Sequence, residues 1–247
     1  MAADLSPAAV AALGDTQYDD ATLKEYRGSF EPTWGRLRAP IRPAVGNHEY
    51  QTERAAGYFA YFGRGVGKPG RAWYSYDVGK WHVVVLDSNC GGDEAAPEEA
   101  SCERGSSQER WLRADLAANR RRCTLAYWHH PRFSSGYHGG YRPVAPLWRT
   151  LQEAGADLVL SGHDHSYERF APQDAQGRAD PDGMRQFVVG TGGEELRPLN
   201  EPEPNSERGD AESFGVLALT LRADGYSWRF VPEPGGSFSD AGSGRCR

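Results

Sequence analysis

Five times in this chain a short apolar or β-branched run stops abruptly at a cluster of Gly, Asp, Asn or His, and this recurrence restricts the fold more than any other feature. Val10 to Leu13 leads into GDTQYDD, Pro43 to Val45 into GNHEY, Trp81 to Leu86 into DSN, Thr124 to Trp128 into HHP, and Asp157 to Leu160 into SGHDH. Runs this short are strand-sized, and apolar continuity along a strand signals burial on both faces. Helix signals lie between them. Ser106 to Glu109 has capping-box spacing, and WLRADLAANRR after it puts Trp111, Leu112 and Leu116 on one face, with the helix expected to end near Arg122. A second helix is expected from about Pro146 to a stop at Gly155. Strands alternating with helices imply a helix-covered sheet, in which ligands sit beyond the carboxyl ends of the strands. The polar clusters are therefore expected to meet in space.

From about Gln186 the pattern changes: FVVGTGG, then FGVLALTLRADGYSWRFVP, read as strands of a β meander around a turn at Ala223-Asp224-Gly225. The Pro/Glu-rich segment from Arg197 to Asp210 reads as an exposed loop. With 247 residues, 38% of them hydrophobic, the chain can bury a substantial core, and one domain over residues 1–247 is expected. A net charge of -6 argues against general nucleic-acid binding and against an anionic membrane surface. No apolar run approaches the roughly 20 residues needed to span a bilayer. The start MAADLSPAAV lacks the basic and apolar regions of a secretion signal. Cys90, Cys102, Cys123 and Cys246 allow three pairings or free thiols, and a Cys90–Cys102 bond would close a polar loop.

Asp15, Asn47, His129, His163 and His165 offer carboxylate, amide and imidazole donors, a mixture suited to a pair of hydrolytic metal ions. Each has a plainer explanation when taken alone. Gly14-Asp15 is by itself best explained as a turn and helix cap. GNHE could be a polar turn, although Gly beside Asn after a strand also lets backbone approach a ligand. His163-Asp164-His165 is harder to dismiss, since two core histidines rarely stand so close. His82, inside WHVVVL, is most simply a packing or edge residue.

Taken in order, GDTQY, GNHE, HHP and GHDHSYER resemble the sequence blocks of the calcineurin-like metallophosphoesterase superfamily. Tyr18, three positions after Asp15, and Tyr-Glu-Arg after His165 resemble the purple acid phosphatases in particular. The resemblance implies an α/β fold, a four-layer α/β/β/α sandwich. It also implies that Asp15 bridges two metal ions, with Tyr18 and His165 on the first, normally ferric iron. Asn47, His129 and His163 would hold the second: zinc, manganese or iron. His129 stands two residues before Pro131, as the family ligand does, which leaves His130 as a neighbour either of the ligands or of the substrate. By the same resemblance, His48 positions phosphate or protonates the leaving oxygen, and His138, in SSGYHGGY, reaches the substrate from a Gly-rich loop. A structural His48 and an inert surface His138 are the alternatives.

The implied reaction is in-line attack on phosphorus by a metal-held hydroxide, with a small phosphate ester as partner and phosphomonoesters favoured. Phosphodiesterase or nuclease action is the alternative within the same chemistry. The family opens with an Asp-x-Gly or Asp-x-His block about thirty residues before the Gly-Asp block. Only 14 residues precede Asp15, so this sequence is expected to lack the first strand and its aspartate motif, which a longer, secreted or extracytoplasmic protein would carry. A catalytically impaired metal- or phosphate-binding module is the rival expectation. The oligomeric state is not legible in the sequence.

Overall fold

The computed structural model of the protein describes residues 3–90, 97–119 and 121–247. The chain begins with two short parallel strands, β1 (Val10–Ala12) and β2 (Ile41–Pro43), Val10 lying opposite Ile41. Between them α1 (Leu23–Glu25) starts at a complete capping box: Thr22 Oγ1 accepts the Glu25 N–H at 3.3 Å, and the Glu25 carboxylate accepts the Thr22 N–H at 2.8 Å. Helix α2 (Ala56–Phe62) follows β2. A hairpin of β3 (Tyr74–Val78) and β4 (Trp81–Val85) leads through α3 (Ser107–Ala118) to β5 (Cys123–Tyr127), then through α4 (Ala145–Glu153) to β6 (Leu158–Ser161). With β7 (Tyr167–Phe170), β8 (Arg185–Val189) and β9 (Ser206–Asp210) these strands form one sheet in the order β3-β4-β5-β6-β8-β7-β9, in which β4, β5, β6 and β8 are parallel. An antiparallel meander of β10 (Gly215–Leu221), β11 (Gly225–Pro232) and β12 (Ala241–Arg245) completes the chain.

Alternation along the central strands explains their unbroken apolar character. Val83, Val85, Leu125, Leu158, Leu160 and Phe187 project from one face onto Trp228 and Phe230 of β11 and Ala44 beside β2. The intervening Val84, Ala126 and Val159 point the other way, onto Leu112 of α3 and Leu147, Trp148 and Leu151 of α4. A third cluster, with Tyr26, Phe30, Val45, Tyr50 and Tyr58, covers the outer side of β1 and β2. Helices, large sheet, small sheets and a thin helical layer thus make the four-layer α/β/β/α sandwich.

Several elements depart from the sequence expectations. The run Pro43 to Val45 is not itself a strand: β2 ends at Pro43, whose carbonyl accepts the Tyr58 and Tyr74 hydroxyls, each at 2.8 Å, before the chain turns into the GNHE loop. Helix α3 stops at Ala118 rather than near Arg122, because Asn119 adopts an extended backbone. Its capping box is only half made. Ser106 accepts the Glu109 N–H at 3.1 Å, but the Glu109 carboxylate accepts from Gly105 N–H and Thr150 Oγ1, each at 2.9 Å, tying α3 to α4. The end of the expected 197–210 loop is β9, whose polar SERGD sequence suits an edge strand. Two disulfides, Cys90–Cys102 and Cys123–Cys246, use all four cysteines; residues 91–96 of the loop closed by the first lie outside the described residues.

Candidate metal centre

The ends of β1, β2, β5 and β6 lie together, and the loop after each carries a residue that can donate a lone pair: Asp15, Asn47, His129 and His163. After β1 the chain enters the left-handed region at Gly14 (φ 87°) and Asp15 (φ 48°), a conformation unusual for aspartate. His163, after β6, is also left-handed, with φ 66°. A side chain on Gly14 would overlap the His129 ring, so glycine there permits the close approach.

The His129 Nδ1–H donates to the Leu13 carbonyl at 2.8 Å, which aims Nε2 inward. That Nε2 lies 3.0 Å from Asp15 Oδ2, 3.1 Å from Asn47 Oδ1 and 3.1 Å from His163 Nδ1. A carboxylate, an amide and two imidazoles from four loops therefore face one another at bonding range. Lone pairs repel, so such a cluster needs a proton or a cation among them. Burial raises the proton affinity of the Asp15 carboxyl, yet the His129 charge and hydrogen bond, with help from His48, hold it well below the usual carboxylate range. Burial opposes a charge on His129, but Asp15 outweighs it and pushes the imidazole up. His163 is pushed far down by burial and by His129 and His130, which leaves it neutral, the form that ligates metal.

A second group of donors lies on the other side of Asp15. Tyr18 Oη is 3.4 Å from Asp15 Oδ2 and 3.5 Å from His165 Nε2. His165 is oriented as His129 is, its Nδ1–H donating to the Glu195 carbonyl at 2.8 Å. Burial, then the charges of Asp15 and Glu49, push the Tyr18 hydroxyl up. The donor set fits a pair of hard or borderline cations sharing Asp15: carboxylate, amide and imidazoles on one side, phenol and imidazole on the other.

The remaining histidines surround this centre. His48 donates its backbone N–H to Asp15 Oδ1 at 2.9 Å, its ring lies 4.5 Å from that of Tyr18, and its Nδ1 meets the Asp19 carbonyl at 2.7 Å. On the opposite side the His138 ring lies 4.3 Å from His163. His130 Nδ1 is turned onto the Ser88 hydroxyl at 2.8 Å, although its ring lies 4.4 Å from His163; burial, then the His129 charge, lowers it to about 3. His82 sits apart, between Asp77 and Asp115.

Three residues escape the sequence reasoning. Buried Glu49 accepts the backbone N–H groups of Asp15, Thr16 and Gly46. Buried Asp164 accepts the His138 N–H at 2.8 Å and the Ser134 hydroxyl, and so fixes the Gly-rich loop. Arg197 donates to His138 Nε2 at 2.9 Å. Glu49 and Asp164 each stand inside a recognised motif, and an acid within two residues of a metal-ligand candidate is the signal that could have found them. Arg197 carries none, because its contacts come from sequence-distant loops.

The family model for calcineurin-like phosphoesterases matches residues 2–167. The chain belongs to this family. Its similar proteins include purple acid phosphatases: purple acid phosphatase 15 of Arabidopsis thaliana is 28% identical over 226 residues, covering 76% of this chain and 40% of that protein. Purple acid phosphatase 21 of the same plant is 31% identical over 224 residues, covering 79% and 48%. This calcineurin-like chain thus spans about half the length, or less, of these two relatives. The purple acid phosphatase from yellow lupin seeds shares the fold at a TM-score of 0.81 and 18% identity, over 95% of this chain and 46% of that one.

Proposed function

We propose that the protein hydrolyses phosphate esters, phosphomonoesters above all, at a centre of two metal ions built on Asp15. One observation carries this reading: the convergence of Asp15 Oδ2, Asn47 Oδ1 and His163 Nδ1 on His129 Nε2 within 3.1 Å. Asn47, His129 and His163 would hold one ion, Tyr18 and His165 the other, and Asp15 both. Iron beside zinc, manganese or a second iron suits these donors. When bound, the ions supply Lewis acidity toward phosphoryl oxygens and make water a nucleophile at neutral pH.

The protein's own groups do the rest. The Leu13 and Glu195 carbonyls accept from Nδ1 of His129 and His165 and so turn the Nε2 of each ring toward the centre. His48, beside Tyr18, is placed to hold a phosphoryl oxygen or to protonate the leaving oxygen. His138, stacked near His163 and fastened by Asp164, meets the phosphate from the other side. The two disulfides support an oxidising, extracytoplasmic compartment. Among the described residues no helix is long and apolar enough to cross a membrane.

A second reading rests on the asymmetry of the donors. The Tyr18 side offers only Tyr18, His165 and the shared Asp15 among the described residues, one fewer than the His129 side. A chain that fills only the latter would bind metal or phosphate without turnover. Metal analysis combined with p-nitrophenyl phosphate hydrolysis decides between the two. Two ions per chain and turnover support the phosphatase; one ion without turnover supports the binding module.

A further inference from the structure

The rim of the centre carries a cation whose hydrogen-bonding capacity is largely unspent. Arg197 follows Glu194 and Glu195 in the loop after β8, and its backbone N–H donates to the His165 carbonyl at 3.0 Å. The same loop is fastened to the Gly-rich loop. Asn200 donates its N–H to the Ser135 carbonyl at 2.7 Å and its Nδ2 to the Gly136 carbonyl at 2.8 Å. The guanidinium reaches back across this seam, its Nη1 at 2.9 Å from His138 Nε2 and its carbon 5.3 Å from the centre of the Tyr137 ring. Tyr137 is itself 64% exposed, an aromatic left standing at the rim.

A guanidinium has five N–H donors in a planar fork. Among the described residues Arg197 uses one of them, on His138, and no carboxylate lies within ion-pair distance of it. The His138 side of the centre therefore presents a positive charge, which attracts an anionic extension of a substrate.

The geometry points to Arg197 as the recognition group for a second phosphoryl group on the substrate, so that bisphosphorylated or diphosphate-bearing esters are favoured over simple monoesters. This assignment rests on the phosphatase reading: the first phosphoryl group occupies the Asp15 centre, and the second meets the free edge of the guanidinium. A bidentate guanidinium–phosphate contact supplies both charge and orientation. Tyr137 holds the flat face of the guanidinium, which leaves its edge for the ligand.

The test is calorimetry on the metal-loaded protein with three non-hydrolysable or product ligands: inorganic phosphate, methylenediphosphonate and propane-1,3-diphosphonate, the last two bracketing the reach between the groups. Arg197→Gln is expected to weaken the tighter diphosphonate ~10-fold or more and phosphate less than ~3-fold, the size of a lost charge-assisted pair. Arg197→Lys, which keeps the charge and loses the fork, should lie between. If the glutamine variant does not fold, a loss of ~3-fold or more confined to the diphosphonate in the lysine variant supports the same assignment. Equal weakening of all ligands would mean that Arg197 only positions His138, and no weakening would mean that it does neither; both overturn the assignment. Failure of the wild-type protein to hydrolyse p-nitrophenyl phosphate sinks the phosphatase reading separately, and the calorimetric ratio still decides the role of Arg197.

Discussion

Glu49 holds Asp15 by its backbone. Glu49 Oε2 accepts the Asp15 N–H at 3.0 Å and the Gly46 N–H at 2.6 Å, while Oε1 accepts the Thr16 N–H at 2.7 Å. The Thr16 hydroxyl at 2.8 Å and the Tyr26 hydroxyl at 3.1 Å complete its shell. One buried side chain thus locks the loop after β1 to the loop after β2, and these two loops deliver Asp15 and Asn47.

Glu49→Gln keeps the shape but turns an amide N–H₂ toward backbone donors. Burying such a mismatch costs about 2–4 kcal/mol. Urea denaturation should show a loss in that range, with metal affinity falling alongside it. A change below about 0.5 kcal/mol, the usual size of a neutral surface substitution, would contradict the brace.

Gly46→Ala probes the same joint by volume. A Cβ at Gly46 overlaps both the Asp15 carboxylate and the Asp15 backbone nitrogen, and the backbone cannot swing aside as a side chain can. Overpacking of this kind costs about 1–3 kcal/mol, and here it displaces Asp15, the residue proposed to bridge the ions. The expected result is loss of bound metal, read by elemental analysis, with the far-UV circular dichroism retained. Full metal occupancy in the variant would show that the loops can shift together.

Asp240 gives the fold an acid limit. Its carboxylate accepts the Tyr167 hydroxyl at 2.6 Å, Arg169 Nε at 2.7 Å and Trp228 Nε1 at 3.1 Å, joining the large sheet to the meander. Burial favours its neutral form, but the Arg169 and Tyr167 hydrogen bonds and the Arg169 charge lower its pKa below the ordinary aspartate value. A depressed folded-state pKa means stability that is present above the unfolded value, near 4, and lost as pH falls through the folded one. Asp240→Asn should therefore cost about 2–3 kcal/mol at pH 7 and flatten the decline in stability below about pH 4. An unchanged acid limb in denaturation curves would assign that limb to other carboxylates.

The two disulfides should contribute unequally. Their sequence separations are 12 for Cys90–Cys102 and 123 for Cys123–Cys246. Constraint of the unfolded chain predicts about 3 kcal/mol for the shorter loop and about 5 kcal/mol for the longer. Paired serine substitutions compared by denaturation midpoint should rank them in that order. The reverse order would show that local strain or residual structure outweighs loop length.

The sequence exposes the strands β1, β4, β5 and β6 because each is apolar on both faces and ends at a polar cluster. It hides β9, whose SERGD residues follow no alternation and pair only because β7 offers an edge. A capping pattern is legible at Ser106, where Glu109 turns instead to Thr150, while the complete box stands at Thr22. In both cases the carboxylate's partner is chosen by what packs nearby, which a four-residue pattern does not contain.

The sequence by itself determined the family, the alternation of strands and helices, and the supply of Asp, Asn, Tyr and His donors at strand ends, since these follow from local periodicity and residue chemistry. Only the tertiary structure decided which donors face each other, which cysteines pair, that Glu49 braces Asp15, and that Arg197 reaches His138. Those relationships join residues far apart in the chain, 34 positions for Glu49 and Asp15 and 116 for His129 and the Leu13 carbonyl. Contacts of that span are fixed by how sheets and helices pack as whole bodies, and no stretch of neighbouring residues encodes them.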